Sequence, residues 1–217
     1  MNIAIIGAGN VGSNLAGALV KAGHDVVIAT RTMEKTTEIA ATTGSIPATN
    51  AAAAAALGDV IVLAVPFGAA KAVASEIRPV VNGKTIVDVT NPAKADWSGP
   101  LFEGADSGAE QLARWLPEAN VVKAFNTVLA SNLADPSTDG VALDGYVAGD
   151  DADAKARALE IVASTGLNPV DAGPLVAARQ LEALAWLNIS LNVANGWAWR
   201  TGWKLVGAPA NELARAA

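Results

Sequence analysis

Gly7-Ala8-Gly9-Asn10-Val11-Gly12 is the segment whose residue types and spacing most directly imply chemistry. It follows the apolar run Ile3-Ala4-Ile5-Ile6 and opens a helical pattern. Gly7 permits a tight turn, Gly9 lets a phosphate approach the backbone, and Gly12 lets the helix pack closely on the strand. The exposed N–H groups at the helix start then face the phosphates, so Ala8, Asn10 and Val11 belong to the same candidate pyrophosphate site. A dinucleotide that carries only a ribose 2′-hydroxyl is usually held by an acid about 20 residues beyond such a motif. Here the second strand ends Ile28-Ala29-Thr30-Arg31-Thr32, with no acid. Arg31 can stack on adenine and pair with a 2′-phosphate, and Thr30 and Thr32 can donate hydrogen bonds to it. Lys35, one helical turn further on, could add charge. The pattern points to NADP.

Two more loops follow strands directly, Val65-Pro66-Phe67 and Asn91-Pro92-Ala93. Ligands of open α/β sheets bind at the carboxyl ends of the strands, so both loops are expected along the ribose and nicotinamide. Few residues suited to proton transfer accompany them. There is no cysteine, and His24 is the only histidine, in a turn before the second strand. Leu175–Arg200 contains no lysine, and Arg179 and Glu182, three apart, read as a helix-surface pair. No metal site is expected. Hydride transfer between two bound cofactors fits this inventory, because it asks the protein for position and little else. Reduction of a small carbonyl or imine, and nucleotide binding without turnover, are the other readings the residues leave open.

The elements that must position these residues alternate along the chain. Strands are expected at 2–6, 25–29, 60–65, 85–89, 120–125, 144–148 and 168–171. Helices are expected at 11–22, 32–43, 51–56, 69–77, from Ser107 onward, at 152–164, and over most of 175–205. Asn50 can cap the alanine helix, and Ser107 and Glu110 have the form of a capping box. Residues 91–108 read as a loop. The pattern predicts an α/β fold: a doubly wound, mainly parallel Rossmann sheet with an extra strand-helix-strand unit and C-terminal helices. It is read as one domain, with a dinucleotide-binding core over 1–130 and a sheet extension with helices over 140–217.

Composition agrees. The 217 residues are 52% hydrophobic and 17% charged, enough apolar content for a substantial core. A net charge of -6 has the wrong sign for general nucleic-acid binding. No apolar run is long enough to suggest a membrane span, and the N-terminus lacks the basic start of a signal peptide, so a cytoplasmic enzyme is expected. Trp186, Trp197, Trp199 and Trp203 crowd the C-terminal region, which suggests a core or a homodimer interface.

The chain resembles the F420-dependent NADP oxidoreductase family over nearly its whole length. The resemblance rests on Ile5 to Gly12, Thr30-Arg31, Val65-Pro66, Asn91-Pro92 and Val122-Lys123-Ala124-Phe125-Asn126-Thr127. It rests also on Asp171-Ala172-Gly173-Pro174-Leu175 and Ala178-Arg179-Gln180-Leu181-Glu182. It implies reversible hydride transfer between NADPH and coenzyme F420, a deazaflavin, with the two rings stacked. By position, Gly7 to Gly12 would hold the pyrophosphate, and Thr30, Arg31 and Lys35 the 2′-phosphate. Val65, Pro66, Ala124, Phe125 and Asn126 would surround the nicotinamide, with Asn126 the candidate for positioning the reacting rings. Archaeal members tend to carry histidine where Asn126 stands. The Lys-Ala-Phe-Asn-Thr form is also similar to the cytosolic domain of six-transmembrane ferric reductases, which implies that a flavin could serve as acceptor. An open cleft is expected, lined by Pro66, Asn91, Phe125 and Asn126.

Overall fold

The computed structural model describes residues 1–94, 98–101 and 106–207. Positions 95–97 and 102–105 of the expected loop lie outside the described residues. The chain begins with β1 (Asn2–Ile6), α1 (Asn10–Lys21), β2 (Asp25–Ala29), α2 (Met33–Thr43), β3 (Ile46–Pro47) and α3 (Ala51–Leu57). Next come β4 (Val60–Leu63), α4 (Phe67–Ile77), β5 (Thr85–Asp88), α5 (Gly108–Trp115), β6 (Asn120–Ala124) and the short α6 (Ala130–Leu133). A two-stranded ribbon, β7 (Ser137–Thr138) and β8 (Val141–Ala142), precedes β9 (Asp144–Gly149), α7 (Ala152–Ser164), β10 (Asn168–Gly173) and α8 (Ala178–Asn195).

Eight strands form one sheet in the order β10-β9-β6-β5-β4-β1-β2-β3. Every neighbouring pair is parallel except β6 and β9, which run antiparallel from Val122↔Gly149 to Ala124↔Val147. The expected extra strand-helix-strand unit is thus present, as β9-α7-β10, and is attached in the reverse direction. Side chains alternate across each strand, and both faces are covered. Ile3, Ile5, Val60 and Val62 pack with Leu15 and Leu19 of α1 and Ile161 of α7. Ala4, Ile6, Ile61 and Leu63 pack on the other face with Ala54 of α3, Ala74 of α4 and Leu112 of α5. Asn50 caps α3 by accepting from the Ala53 N–H at 2.7 Å. Ser107 and Glu110 form the complete capping box of α5.

The C-terminal region departs from expectation. A single turn of 3-10 helix, Leu175–Ala177, leads into α8, which stops at Asn195 rather than continuing to 205. Gly196 takes up the left-handed conformation (φ 63°) that ends the helix. Thr201 then folds back to Asn188 and Asn192, each at 2.6 Å. Arg200 reaches the Ser131 carbonyl and Asp135, both at 2.8 Å. Side chains thus tie the segment at Arg200 and Thr201 to α6, the residues just after it, and α8.

Candidate active site

The glycine loop has the conformation that the spacing implied. Gly7 has φ 99°, and a Cβ there would collide with the Ala64 carbonyl oxygen of the strand-end loop beside it. A Cβ at Gly12 would meet the Gly7 carbonyl oxygen, so α1 can follow β1 this closely only with glycine at both places. Gly9 differs: a Cβ there has nothing within 4 Å. It is the N-cap of α1, no side chain caps that helix, and its first turn carries no acid. The first N–H groups of α1 therefore have no side-chain cap and lie next to open space at Gly9, an arrangement that can take up an anion.

At the end of β2, Arg31, Thr32 and Lys35 are exposed and Thr30 is half-buried. Thr32 caps α2 by accepting from the Lys35 N–H. The Thr30 hydroxyl lies 3.0 Å from that of Thr36 and 2.9 Å from the Thr32 carbonyl, so the loop is braced from within. The Lys35 ammonium is 2.9 Å from Glu38 in an exposed pair, which holds it only weakly.

At the ends of β4 and β5, Val65 and Asn91 are half-buried and Pro66 is exposed. Phe67 is half-buried: α4 begins at this residue, and its ring stacks on Trp115 of α5 at 6.0 Å. Pro92 is buried, with its ring beside Gly108 at the start of α5. The expectation of an open cleft lined by Phe125 and Asn126 needs correcting. Ala124 and Phe125 are core residues at 0% and 1% exposure, and Phe125 packs among Val122, Val128 and Leu133 in a left-handed backbone turn (φ 60°). That turn sends the ring inward, because the apolar side chain gains more in the core than beside a polar loop.

Asn126 is buried as well, at 5% exposure. Its amide nitrogen donates to Asn91 Oδ1 at 2.9 Å and to the Leu181 carbonyl at 3.0 Å, and Asn91 Nδ2 donates back to the Asn126 carbonyl at 2.8 Å. The ends of β5, β6 and α8 are thereby tied together. Asn126 Oδ1 is left without a hydrogen-bond partner, as are the nearby hydroxyls of Thr90 and Thr127. Buried acceptors without donors are costly.

Beneath this tie lies a cluster that the sequence reading missed. Lys123 is fully buried, and its ammonium donates to Asp88 at 2.9 Å, to Glu182 at 2.8 Å and to the Thr90 carbonyl at 2.5 Å. Burial opposes the charge on Lys123, but Asp88 and Glu182 outweigh it and hold the ammonium above its usual pKa. Glu182 accepts in addition from Gly108 N–H at 3.1 Å and Ala109 N–H at 3.4 Å, the first turn of α5. A signal was available: a lysine within Val121-Val122-Lys123-Ala124-Phe125, in a sheet covered on both faces, must have a buried anion. Asp88 is its register partner on the adjacent strand.

Arg179 and Glu182 are not the surface pair that their spacing suggested. Glu182 faces inward, while Arg179 grips Glu110 in a two-point contact at 2.6 and 2.9 Å and reaches Asp106 at 3.2 Å. The Arg179 hydrogen bond is the main cause that takes the Glu110 carboxyl from 4.5 to about 2. The pair therefore contributes fully above about pH 4.5, and its contribution fades as the pH falls through about 2. His24 lies away from the strand ends, with Nε2 2.9 Å from Ser164 Oγ and its pKa lowered by burial and by the N-terminal ammonium.

Residues 2–92 match the family model described as NADP oxidoreductase, coenzyme F420-dependent. The chain is 36% identical over 214 residues to the F420-dependent NADP reductase of Methanothermobacter thermautotrophicus, covering 90% of both proteins. It belongs to the F420-dependent NADP reductase family. A solved structure from Arthrobacter sp. FB24, described as a candidate F420-dependent NADP reductase, superimposes with a TM-score of 0.86 at 31% identity. That superposition covers 95% of this chain and 99% of the other. Metalloreductase STEAP3 of Rattus norvegicus is 31% identical over 182 residues, which span 84% of this chain and 36% of that longer protein. No helix among the described residues is long and apolar enough to cross a membrane.

Proposed function

We propose that this chain transfers a hydride reversibly between NADPH and coenzyme F420, with NADP lying across the carboxyl ends of β1, β2, β4 and β5. The observation that carries the reading is the uncapped start of α1, open at Gly9, in a chain of this family. In this reading the α1 N–H groups hold the pyrophosphate, and Arg31, Thr30, Thr32 and Lys35 take the 2′-phosphate. Val65, Pro66, Asn91 and the Asn126 amide oxygen border the nicotinamide. When bound, the two cofactors supply the hydride donor and acceptor. The protein aligns them, excludes water from one face and needs no acid or base of its own. Mixing the protein with NADPH and F420, FMN or FAD in parallel, and following absorbance, tests the acceptor. Rapid NADPH oxidation with F420 is expected. Oxidation with none of the three but with a small carbonyl or imine would replace this reading.

Arg31→Ala is expected to weaken NADP binding by roughly ten- to a hundredfold while changing NAD binding little, the range for one charge-assisted hydrogen bond. Dissociation constants for both nucleotides on both proteins check this, and an unchanged NADP-to-NAD ratio would remove Arg31 from the site. Asn126→Ala should lower turnover with F420 by a modest factor, about three- to thirtyfold, because orientation is lost and chemistry is not. A loss near ten-thousandfold would reveal a direct chemical role.

A cytoplasmic homodimer completes the reading. Leu187 and Val193 on α8, with Trp197 and Trp199 beyond it, are 44–68% exposed. An apolar surface of this kind favours a second copy as its cover. The mass in solution, measured by light scattering, checks the oligomer.

A further inference from the structure

The buried cluster beneath the strand ends is not electrically neutral. Lys123 carries one positive charge, and Asp88 and Glu182 each carry a negative one. Both acids only accept hydrogen bonds here: Asp88 from Lys123 and the Thr90 N–H, Glu182 from Lys123 and the first N–H groups of α5. Side-chain exposure is 0% for Lys123 and Asp88 and 5% for Glu182, so solvent hardly screens the excess negative charge. The remaining charges between α5 and α8 cancel: Arg179 and Arg114 are matched by Glu110 and Asp106. A net buried anion is costly, and apolar residues of similar volume would often serve stability as well or better.

Its placement suggests what it does. Thr90, whose carbonyl binds Lys123, precedes Asn91, and the Leu181 carbonyl that receives the Asn126 amide precedes Glu182. The excess charge thus lies one residue beneath the tie of Asn91, Asn126 and α8. We propose that Asp88 and Glu182, only half offset by Lys123, form a fixed anionic patch that stabilises the oxidised, positively charged nicotinamide over the reduced one. This rests on the nicotinamide reading given above. When a hydride leaves the dihydronicotinamide, its carbon–hydrogen bond breaks, the hydrogen passes with both bonding electrons to the acceptor, which takes on the matching negative charge, and the nicotinamide ring gains one positive charge. A preorganised negative charge nearby lowers the free energy of that product and of the transition state leading to it. It shifts the bound cofactor toward NADP⁺.

The test is the ratio of the NADP⁺ to the NADPH association constant, measured by titration calorimetry without any acceptor. A single charge acting across one packed layer of protein changes such a ratio by roughly three- to tenfold. Glu182→Gln and Asp88→Asn each remove one negative charge and should each lower the ratio by that factor. Lys123→Met adds a net negative charge and should raise it. Loosened packing weakens both forms of the cofactor alike and leaves the ratio where it was. A ratio unchanged in both Glu182→Gln and Asp88→Asn, or shifted upward in either, overturns the proposal. Should Lys123→Met fail to fold, the two neutralised acids still decide. If the parent chain binds neither form of the cofactor, the nicotinamide reading itself has failed, and a normal parent with a flat ratio in the variants sinks only the anionic patch.

Discussion

The Gly9→Val variant is expected to fold like the parent chain and to lose NADP binding by about a hundredfold or more. The two halves of that expectation have separate origins. A Cβ at Gly9 meets no atom within 4 Å, so the folded chain without nucleotide has room for it. The cost in helix stability is limited, about 1 kcal/mol, because Gly9 is the N-cap of α1 in extended backbone that valine can adopt, and its carbonyl can still accept from the Ser13 N–H at 3.0 Å. The branched side chain instead fills the space in front of the uncapped N–H groups. Losing two or more charge-assisted bonds, at about 1.5–3 kcal/mol each, gives the stated loss. Thermal unfolding together with a nucleotide titration separates the two halves. A variant that melts normally and still binds NADP at parental strength would mean that the phosphates lie elsewhere. Gly7 and Gly12 cannot serve in the same experiment, since any side chain there strikes backbone and the fold itself would suffer.

The Lys123→Met variant is expected to lose about 3–5 kcal/mol of stability, the range for breaking a buried ion pair and leaving its partner uncompensated. For a chain of 217 residues this corresponds to a fall in Tm of roughly 6–20 °C. Two carboxylates would then face one another in the core with only backbone N–H groups to satisfy them. Neutralising them too, as Lys123→Met with Asp88→Asn and Glu182→Gln, should recover a substantial part of the loss. Urea unfolding of the single and triple variants measures both quantities. If Lys123→Met is as stable as the parent, the ammonium is not the element that holds α8 to β5 and β6.

Much of this was legible before any coordinates. The strand-to-helix turn at Gly7 and Gly12 follows from steric demands that only glycine meets. The alternation of apolar strands with capped helices leads directly to a two-sided parallel sheet. Local pattern carries such features, because turns, caps and periodicity are properties of neighbours in sequence. Three things were not local. The reversal of β9 against β6 depends on which sheet edge was still available, and nothing within Asp144–Gly149 encodes that. The inward turn of Glu182 depends on Lys123, 59 residues away, so its helix spacing to Arg179 suggested the wrong partner. The end of α8 at Asn195 depends on Thr201 finding Asn188 and Asn192, while the apolar sequence around it reads as further helix. Within the site, nucleotide-facing backbone was readable from glycines, whereas the burial of Phe125 and Asn126 required the packed structure.

The single antiparallel seam between β6 and β9 bears on the order in which the molecule is assembled as it is synthesised. Apart from that seam, the strands β3, β2, β1, β4, β5 and β6 pair only with one another, and all precede residue 125. The glycine loop, the β2 end and the Asp88–Lys123 pair can therefore be complete while β9 has yet to emerge from the ribosome. At that stage β6 is an open edge, a template for pairing with any passing strand. The emergence of β9 closes that edge, and β10 then becomes the new border. Glu182 comes later still, and its docking converts a neutral buried pair into a charged one. On this schedule the nucleotide-binding half is finished early, and the hydride-transfer face is closed only when α8 settles against β5 and β6.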